Sequence, residues 1–189
     1  KSLRACGFSR VVEDVHKRID ILDARAVETF FEHEKPAAVV MLPVFAGGIQ
    51  ENLQNPATLC YANLQLQNNL IASAYRANVK KLLFIASSCV YPKDVPQPFE
   101  EQALLTGSLE ETCEAYAVAK IAGITLCRAY NKQYGTRFIS VIPATVYGPG
   151  DHFDLETGHV LPSLIRRFHE AVANPAGGSH TRCRHCFSR

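Results

Sequence analysis

Residues 81–92 read Lys81-Leu-Leu-Phe-Ile-Ala86 followed by Ser87-Ser88-Cys89-Val90-Tyr91-Pro92. The first six form an apolar run too short for a globular helix and bounded by small polar residues, which predicts a buried strand ending at Ser87. Outward from it in both directions, similar runs recur at Ala37 to Val44 and at Arg137 to Ile142. Between the runs the periodicity turns helical. From Pro56 to Asn78, Leu59, Leu64, Leu66, Leu70, Ile71 and Tyr75 recur mostly at spacings of about three to five. Glu114 to Tyr134 interleaves small and apolar residues in the same manner. A shorter helix is expected over Ala24 to Lys35, with Val27, Phe30 and Phe31 at apolar positions and Pro36 as its stop. Another is expected over Val160 to Val172, bearing Arg166 and Arg167. Strands joined through helices of this length pair in parallel, with right-handed crossovers, because only a long connection returns the chain to the same edge. The class expected is α/β, a parallel sheet with flanking helices and strands buried on both faces.

The chain has 189 residues, of which 47% are hydrophobic and 20% charged, the composition of an ordinary globular protein. Twenty Lys and Arg against 18 Asp and Glu give a formal charge of +2, so no basic footprint for a phosphate backbone is present and no nucleic-acid partner is expected. The most apolar stretch, Ala37 to Ile49, is interrupted by Pro43, Gly47 and Gly48 and falls short of the roughly 18 to 20 apolar residues of a spanning helix. No membrane partner is expected. No charged-then-apolar leader opens the chain, so the expected location is cytoplasmic. The seven cysteines, at 6, 60, 89, 113, 127, 183 and 186, are odd in number, and the first five are scattered; they read as reduced thiols. The chain begins at Lys1 and its only methionine, Met41, lies inside a strand-like run, so a fragment is expected.

Two stretches carry the candidate chemistry. Ser87 to Cys113 and Pro143 to Gly158 lack clear periodicity and follow strands, and loops at the carboxyl ends of strands are where open α/β sheets bind ligands. Tyr116-Ala-Val-Ala-Lys120 places a phenol and an ammonium four apart, hence on one helix face. A nearby ammonium favours the phenolate, which predicts a lowered Tyr116 pKa and a phenol usable as acid or base. That spacing is also a common surface pairing, and Ser87, ending a strand 29 positions upstream, is what separates the two readings. Each other candidate has an ordinary reading as well. Cys89 alone would be a core thiol, His159 a loop residue, Arg166 and Arg167 a solvated face, and Asn63 a helix amide on the surface or bonded to backbone.

In chain order, Ser87-Ser-Cys89-Val-Tyr91-Pro92, Tyr116-Ala-Val-Ala-Lys120-Ile-Ala-Gly123, Tyr147-Gly-Pro149, His159-Val-Leu-Pro162 and Arg166-Arg-Phe-His-Glu170 closely resemble the GDP-L-fucose synthase family of extended short-chain dehydrogenase/reductases. The resemblance runs from about Asp20 to about Glu170 and includes Gly47-Gly48-Ile49 and Asn63. It implies a Rossmann-like sheet over residues 1–150 that binds NADP(H), the start of a small substrate-binding region over 151–172, and a tail over 173–189. It also implies a nucleotide-sugar substrate. In that reading Tyr116 protonates the C4 oxygen of a 4-keto sugar, Ser87 hydrogen-bonds the same oxygen, and Lys120 holds the nicotinamide ribose. Cys89 and His159 match the pair that moves protons at C3 and C5, and thiol and imidazole, with ordinary pKa values of about 8.5 and 6.5, suit that work near neutral pH. Ile85, Ala86, Ser87, Ser88, Lys120, Pro143, Ala144, Thr145, Val146 and His159 match cofactor-lining positions, Arg167 a substrate contact, and Asn63 a support of the proton network. A homodimer through the two long helices is also implied.

The chain departs from that pattern in places. No glycine-rich turn between a strand and a helix is present to cradle a pyrophosphate, so weakened cofactor binding is expected, and with it an inactive fragment. Leu42-Pro43-Val44-Phe45-Ala46 replaces an alanine-rich run ending in lysine, and Ala144-Thr145 replaces Thr-Asn. The alternatives are a related nucleotide-sugar epimerase or dehydratase and a catalytically dead binding or scaffolding remnant. His180, Cys183, His185 and Cys186 could ligate zinc in principle, but they lack the long spacer of zinc modules and no metal is expected.

Overall fold

The computed structural model describes residues 2–155 and 158–173; the Cys/His tail lies outside the described residues. In chain order the elements are α1 (Ser2–Ala5), α2 (Ala24–Glu34), β1 (Ala38–Met41), α3 (Ile49–Gln54), α4 (Pro56–Arg76), β2 (Lys81–Ile85), α5 (Glu114–Tyr134), β3 (Phe138–Val141) and α6 (Val160–Ala173). They divide between two compact units, Lys1–Thr145 and Val146–Arg189.

Local chemistry sets the element ends. The Asp23 carboxylate accepts from the backbone N–H groups of Arg25 (2.8 Å) and Ala26 (3.4 Å), filling two donors that the first turn of α2 leaves open. Pro56 opens α4 at a position where a missing N–H costs nothing. Gly135 closes α5 in the left-handed region at φ 66°, where glycine has no Cβ to clash. Just beyond it, Asn131 of α5 stitches that helix to β3. Its Nδ2 donates to Phe138 O (2.7 Å) and its Oδ1 accepts from Phe138 N (2.9 Å). The short helix α3, which no periodicity in the sequence announces, is held from inside: Asn52 Nδ2 donates to the carbonyls of Gly47 (2.9 Å) and Gly48 (3.0 Å).

The three strands form one parallel sheet in the order β1-β2-β3, with Met41 opposite Phe84 and Ile85 opposite Val141. Pairing runs one residue further through Ala86 N–H to Val141 O (2.9 Å). β1 stops at Met41 instead of continuing to Val44, because Pro43 has no N–H to offer the ladder. Helices α4 and α5 pack side by side, with α2 against α4. Leu66, Ile71, Ala74, Ile121, Ile124 and Cys127 meet Leu82, Phe84 and Phe138 in the core.

The expectation of burial on both faces is corrected. Leu82 and Phe84 are buried, whereas Val40 (45%), Ile139 (57%) and Val141 (36%), which point to the opposite face by strand alternation, stay exposed. Both long helices lie on one side, so within the first unit the second side of the sheet is left only partly covered. Apolar strand composition reports what a face can bury against, and not whether a partner is there.

One contact fixes how closely α5 approaches. A Cβ on Gly123 would sit 2.4 Å from Phe84 Cζ and 2.7 Å from Gln67 Oε1, so only glycine permits this spacing. Gln67 spans the gap between the two helices, its Nε2 donating to Ala119 O (2.7 Å). In the second unit, Arg166 pairs with Glu170 (2.7 Å) and Ser163 Oγ donates to Asp154 O (2.7 Å), tying α6 to the loop before it.

Candidate active site

The carboxyl end of β2 delivers the first group of side chains. After Ala86 the chain passes through extended Ser87 into a single 3-10 turn, Ser88–Val90, that is anchored by fully buried Val90. Cys89 stands in that turn, half-buried. The second group comes from the start of α5, which packs against this turn and against both β2 and β3. Cys113 occupies its N-cap position at the end of another 3-10 turn, Glu111–Cys113, and Tyr116 and Lys120 follow on the buried face. Helix α5, packed on one face of the sheet with its first turns against the turn that follows β2, thus brings Ser87, Cys89, Cys113, Tyr116 and Lys120 together.

The electrostatics follow from the contacts. The Cys113 thiol donates to Cys89 Sγ, Ser87 adds a second hydrogen bond, and the Lys120 ammonium adds attraction, which together pull Cys89 from 9.0 to about 7 against the opposing effect of burial. Cys113 is raised by the same bond and stays a thiol. Burial pushes Lys120 down from 10.5 to about 8, with Cys89 partly offsetting it. Lys120 is 3% exposed, and among the described residues it makes no ion pair with a carboxylate. Its Nζ rests over two aromatic rings, 5.3 Å from the centroid of Tyr116 and 5.5 Å from that of Phe84.

Tyr116 corrects the sequence expectation. Its pKa is raised, first by burial and then by the neighbouring Cys89 and Cys113 thiols. The ammonium four residues on lies over the ring, and what the hydroxyl experiences is desolvation, which disfavours phenolate. The phenol therefore remains protonated at neutral pH and is a proton donor in the resting state.

Asn63 is fully buried on α4. Its Nδ2 donates to Phe45 O and Leu59 O, both at 2.8 Å, which holds the loop after β1 against the helix, while its Oδ1 has no partner among the described residues. Ile85, Ala86, Ser87 and Ser88 leave β2 beside the point where Pro143, Ala144 and Thr145 leave β3, a shared rim at the carboxyl ends of adjacent strands. Val146, His159 and Arg167 belong to the second unit. There His159 is exposed and precedes α6, its carbonyl accepting from Ser163 N–H (3.1 Å), and Arg167 Nη2 donates to Leu155 O (3.2 Å).

Sequence reasoning missed Cys113, Asn52 and Gln67. Cys113 was legible, since it stands one helical turn before Tyr116. The two amides carried no local signal, because their partners are distant backbone carbonyls.

A phenol, a low-pKa thiol and a buried ammonium on the rim of a parallel sheet are the furniture of carbonyl chemistry next to a dinucleotide. The chain matches the model of the NAD dependent epimerase/dehydratase family over residues 5–183, and it belongs to that family. It is 51% identical over 176 residues to GDP-L-fucose synthase 1 of Arabidopsis thaliana, covering 93% of this chain and 54% of the relative. Among solved structures, a GDP-D-glycero-L-gluco-heptose synthase from Campylobacter jejuni, in the presence of NADPH, superposes with a TM-score of 0.85 at 38% identity, covering 90% of this chain and 50% of that one. A GDP-L-fucose synthetase from Naegleria fowleri bound to NADP gives 0.74 at 34% identity, with 82% and 51% covered. The chain spans about half the length of the relatives it matches.

Proposed function

We propose that this chain carries the reducing and proton-abstracting groups of an NADP(H)-dependent 3,5-epimerase/4-reductase acting on GDP-4-keto-6-deoxy-D-mannose, in GDP-L-fucose synthesis. The observation that carries this reading is the convergence of Cys89, Tyr116 and Lys120 at the end of β2, in a chain half identical to a GDP-L-fucose synthase. Tyr116, held protonated, donates to the C4 oxygen while Ser87 hydrogen-bonds the same atom. Cys89, with a pKa of about 7, removes a proton from a carbon beside the carbonyl, where the enolate charge spreads onto that hydrogen-bonded oxygen. Family resemblance alone assigns His159 as the acid on the opposite face, Arg167 as a substrate contact and Asn63 as a support of the proton network.

The residues present fit the nicotinamide end of the dinucleotide. A buried ammonium without a carboxylate partner among the described residues suits a hydroxyl-rich ribose, and Ile85 to Ser88 with Pro143 to Thr145 offer backbone groups along the strand ends; Val146 and His159 join them by resemblance. NADPH, when bound, supplies the hydride to C4. The protein works as a homodimer, supported by the exposed face of α4 and α5 that carries Tyr61 and Val118, and acts in the cytoplasm.

The test is incubation with the keto sugar and NADPH in deuterated water. Deuterium at C3 and C5 is the expected result, with oxidation of NADPH only at cofactor concentrations high enough to offset the weak binding expected without a glycine-rich turn; reduction without exchange would reassign the chain to a reductase that does not epimerise.

A further inference from the structure

One buried polar side chain in the seam between the two long helices has no part in the chemistry above. Gln67 of α4 is 1% exposed, and its Nε2 donates to Ala119 O at 2.7 Å. That carbonyl lies inside α5, where the helical bond takes one of its two lone pairs and leaves the other for the amide. Ala119 is the residue before Lys120 and the third after Tyr116, so the bond grips the backbone between the two. We propose that Gln67 is a positioning residue: by holding the Ala119 carbonyl, it fixes where α5 places the Lys120 ammonium and the Tyr116 ring.

The grip extends over two turns of α5. Gly123 lies four residues beyond Ala119 on the same stripe of the helix. A Cβ there would meet Gln67 Oε1 at 2.7 Å and collide with the Phe84 ring, so the amide head and that ring close on the helix at one point. The same Phe84 ring lies under Lys120 Nζ, 5.5 Å from its centroid, and the Tyr116 ring lies 5.3 Å from that nitrogen. Close approaches thus run from Gln67 through Gly123 and Phe84 to the ammonium. Among the described residues no carboxylate pairs with Lys120, so its place is set by the helix that carries it. Stability does not account for a glutamine at this position. Its Oε1 is buried without a partner among the described residues, a cost that an apolar side chain of the same length avoids. What glutamine supplies and methionine cannot is the donor to Ala119.

The consequence for reduction rests on the reading of Tyr116 and Lys120 as reducing groups, whereas the placement of Lys120 does not. The experiment is nuclear magnetic resonance of the whole chain labelled with carbon-13 lysine. The Lys120 Hε protons, lying over two rings, are expected upfield of those of exposed lysines, and a Lys120→Met chain assigns the signal. In Gln67→Met the signal is expected to move toward the exposed position, with a urea midpoint no lower than that of the wild type, because Ala119 O keeps its helical bond. A signal that stays in place overturns the proposal, and so does a lower midpoint, which would make the amide a structural bond. The wild-type chain gives an independent check: side-chain amide protons of Gln67 that exchange with water as fast as those of exposed glutamines would show that the grip is absent. With keto sugar and NADPH, kcat/KM for reduction is expected to fall roughly 10- to 100-fold in Gln67→Met; unchanged reduction beside a displaced lysine signal removes the positioning role. A wild-type chain that does not reduce the sugar counts against the proposed function, and the lysine signal still reads the action of Gln67.

Discussion

Cys89, pulled down to about 7, and Lys120, pushed down to about 8, set a pH window for the site. The thiolate form of Cys89 accumulates as pH rises through about 7, so exchange at C3 is expected to rise there. Lys120 loses its charge as pH rises through about 8, so reduction is expected to fall above it. Cys113→Ala removes a donor to the thiolate, raises the Cys89 pKa and moves the rising limb of Cys89 alkylation by iodoacetamide to higher pH; an unmoved limb would show that the contact does not tune it. Cys89→Ser is expected to abolish deuterium incorporation at C3 and C5 while hydride transfer to an already epimerised sugar continues, measured by NADPH absorbance. Lys120 also opposes folding, because its ammonium is buried and its pKa is lowered from 10.5. The unfolded chain binds the extra proton between about pH 8 and 10.5, so this penalty is largest below pH 8 and fades as pH rises through that interval. Lys120→Met should therefore stabilise the fold at pH 7 by roughly 1–3 kcal/mol while reduction is lost. A lower urea midpoint in that variant would contradict the argument.

At the scale of elements, the close approach of α5 to β2 and α4 depends on one missing Cβ. Gly123→Ala forces an overlap with Phe84 and Gln67, and overpacking of a core of this kind costs about 1–3 kcal/mol. Denaturant unfolding should show a lower midpoint and an unfolding free energy reduced by that amount; an unchanged midpoint would mean that the helices slide apart freely. The course of the two long helices was legible because their apolar positions follow a 3.6-residue period, and for α5 the limits inferred from sequence, Glu114 to Tyr134, are those observed. β1 was read too long, since an apolar run continues through Pro43 to Val44 where the ladder cannot. The α3 turn was invisible, because Asn52 stabilises it through backbone carbonyls and not through a hydrophobic stripe.

For the molecule as a whole, the exposed apolar residues on the second face of the sheet, among the described residues, have a direct solution consequence. Val40, Ile139 and Val141 form an exposed apolar row, which promotes self-association. Ile139→Thr is expected to raise the soluble yield of the 189-residue chain with little loss of stability, because the side chain is more than half exposed; light scattering on both proteins checks this. What the sequence alone determined is the α/β alternation, the parallel order of strands and the chemical identity of the rim residues Ser87, Cys89, Tyr116 and Lys120. Periodicity and residue type are local properties, and they survive without coordinates. Tertiary structure alone decided the sign of the Tyr116 shift, the pairing of Cys89 with Cys113 and the one-sided burial of the sheet. Each of these depends on which groups displace water from which, a matter of distances between segments far apart in the chain, and desolvation outweighs a charge that lies over the ring and not at the hydroxyl.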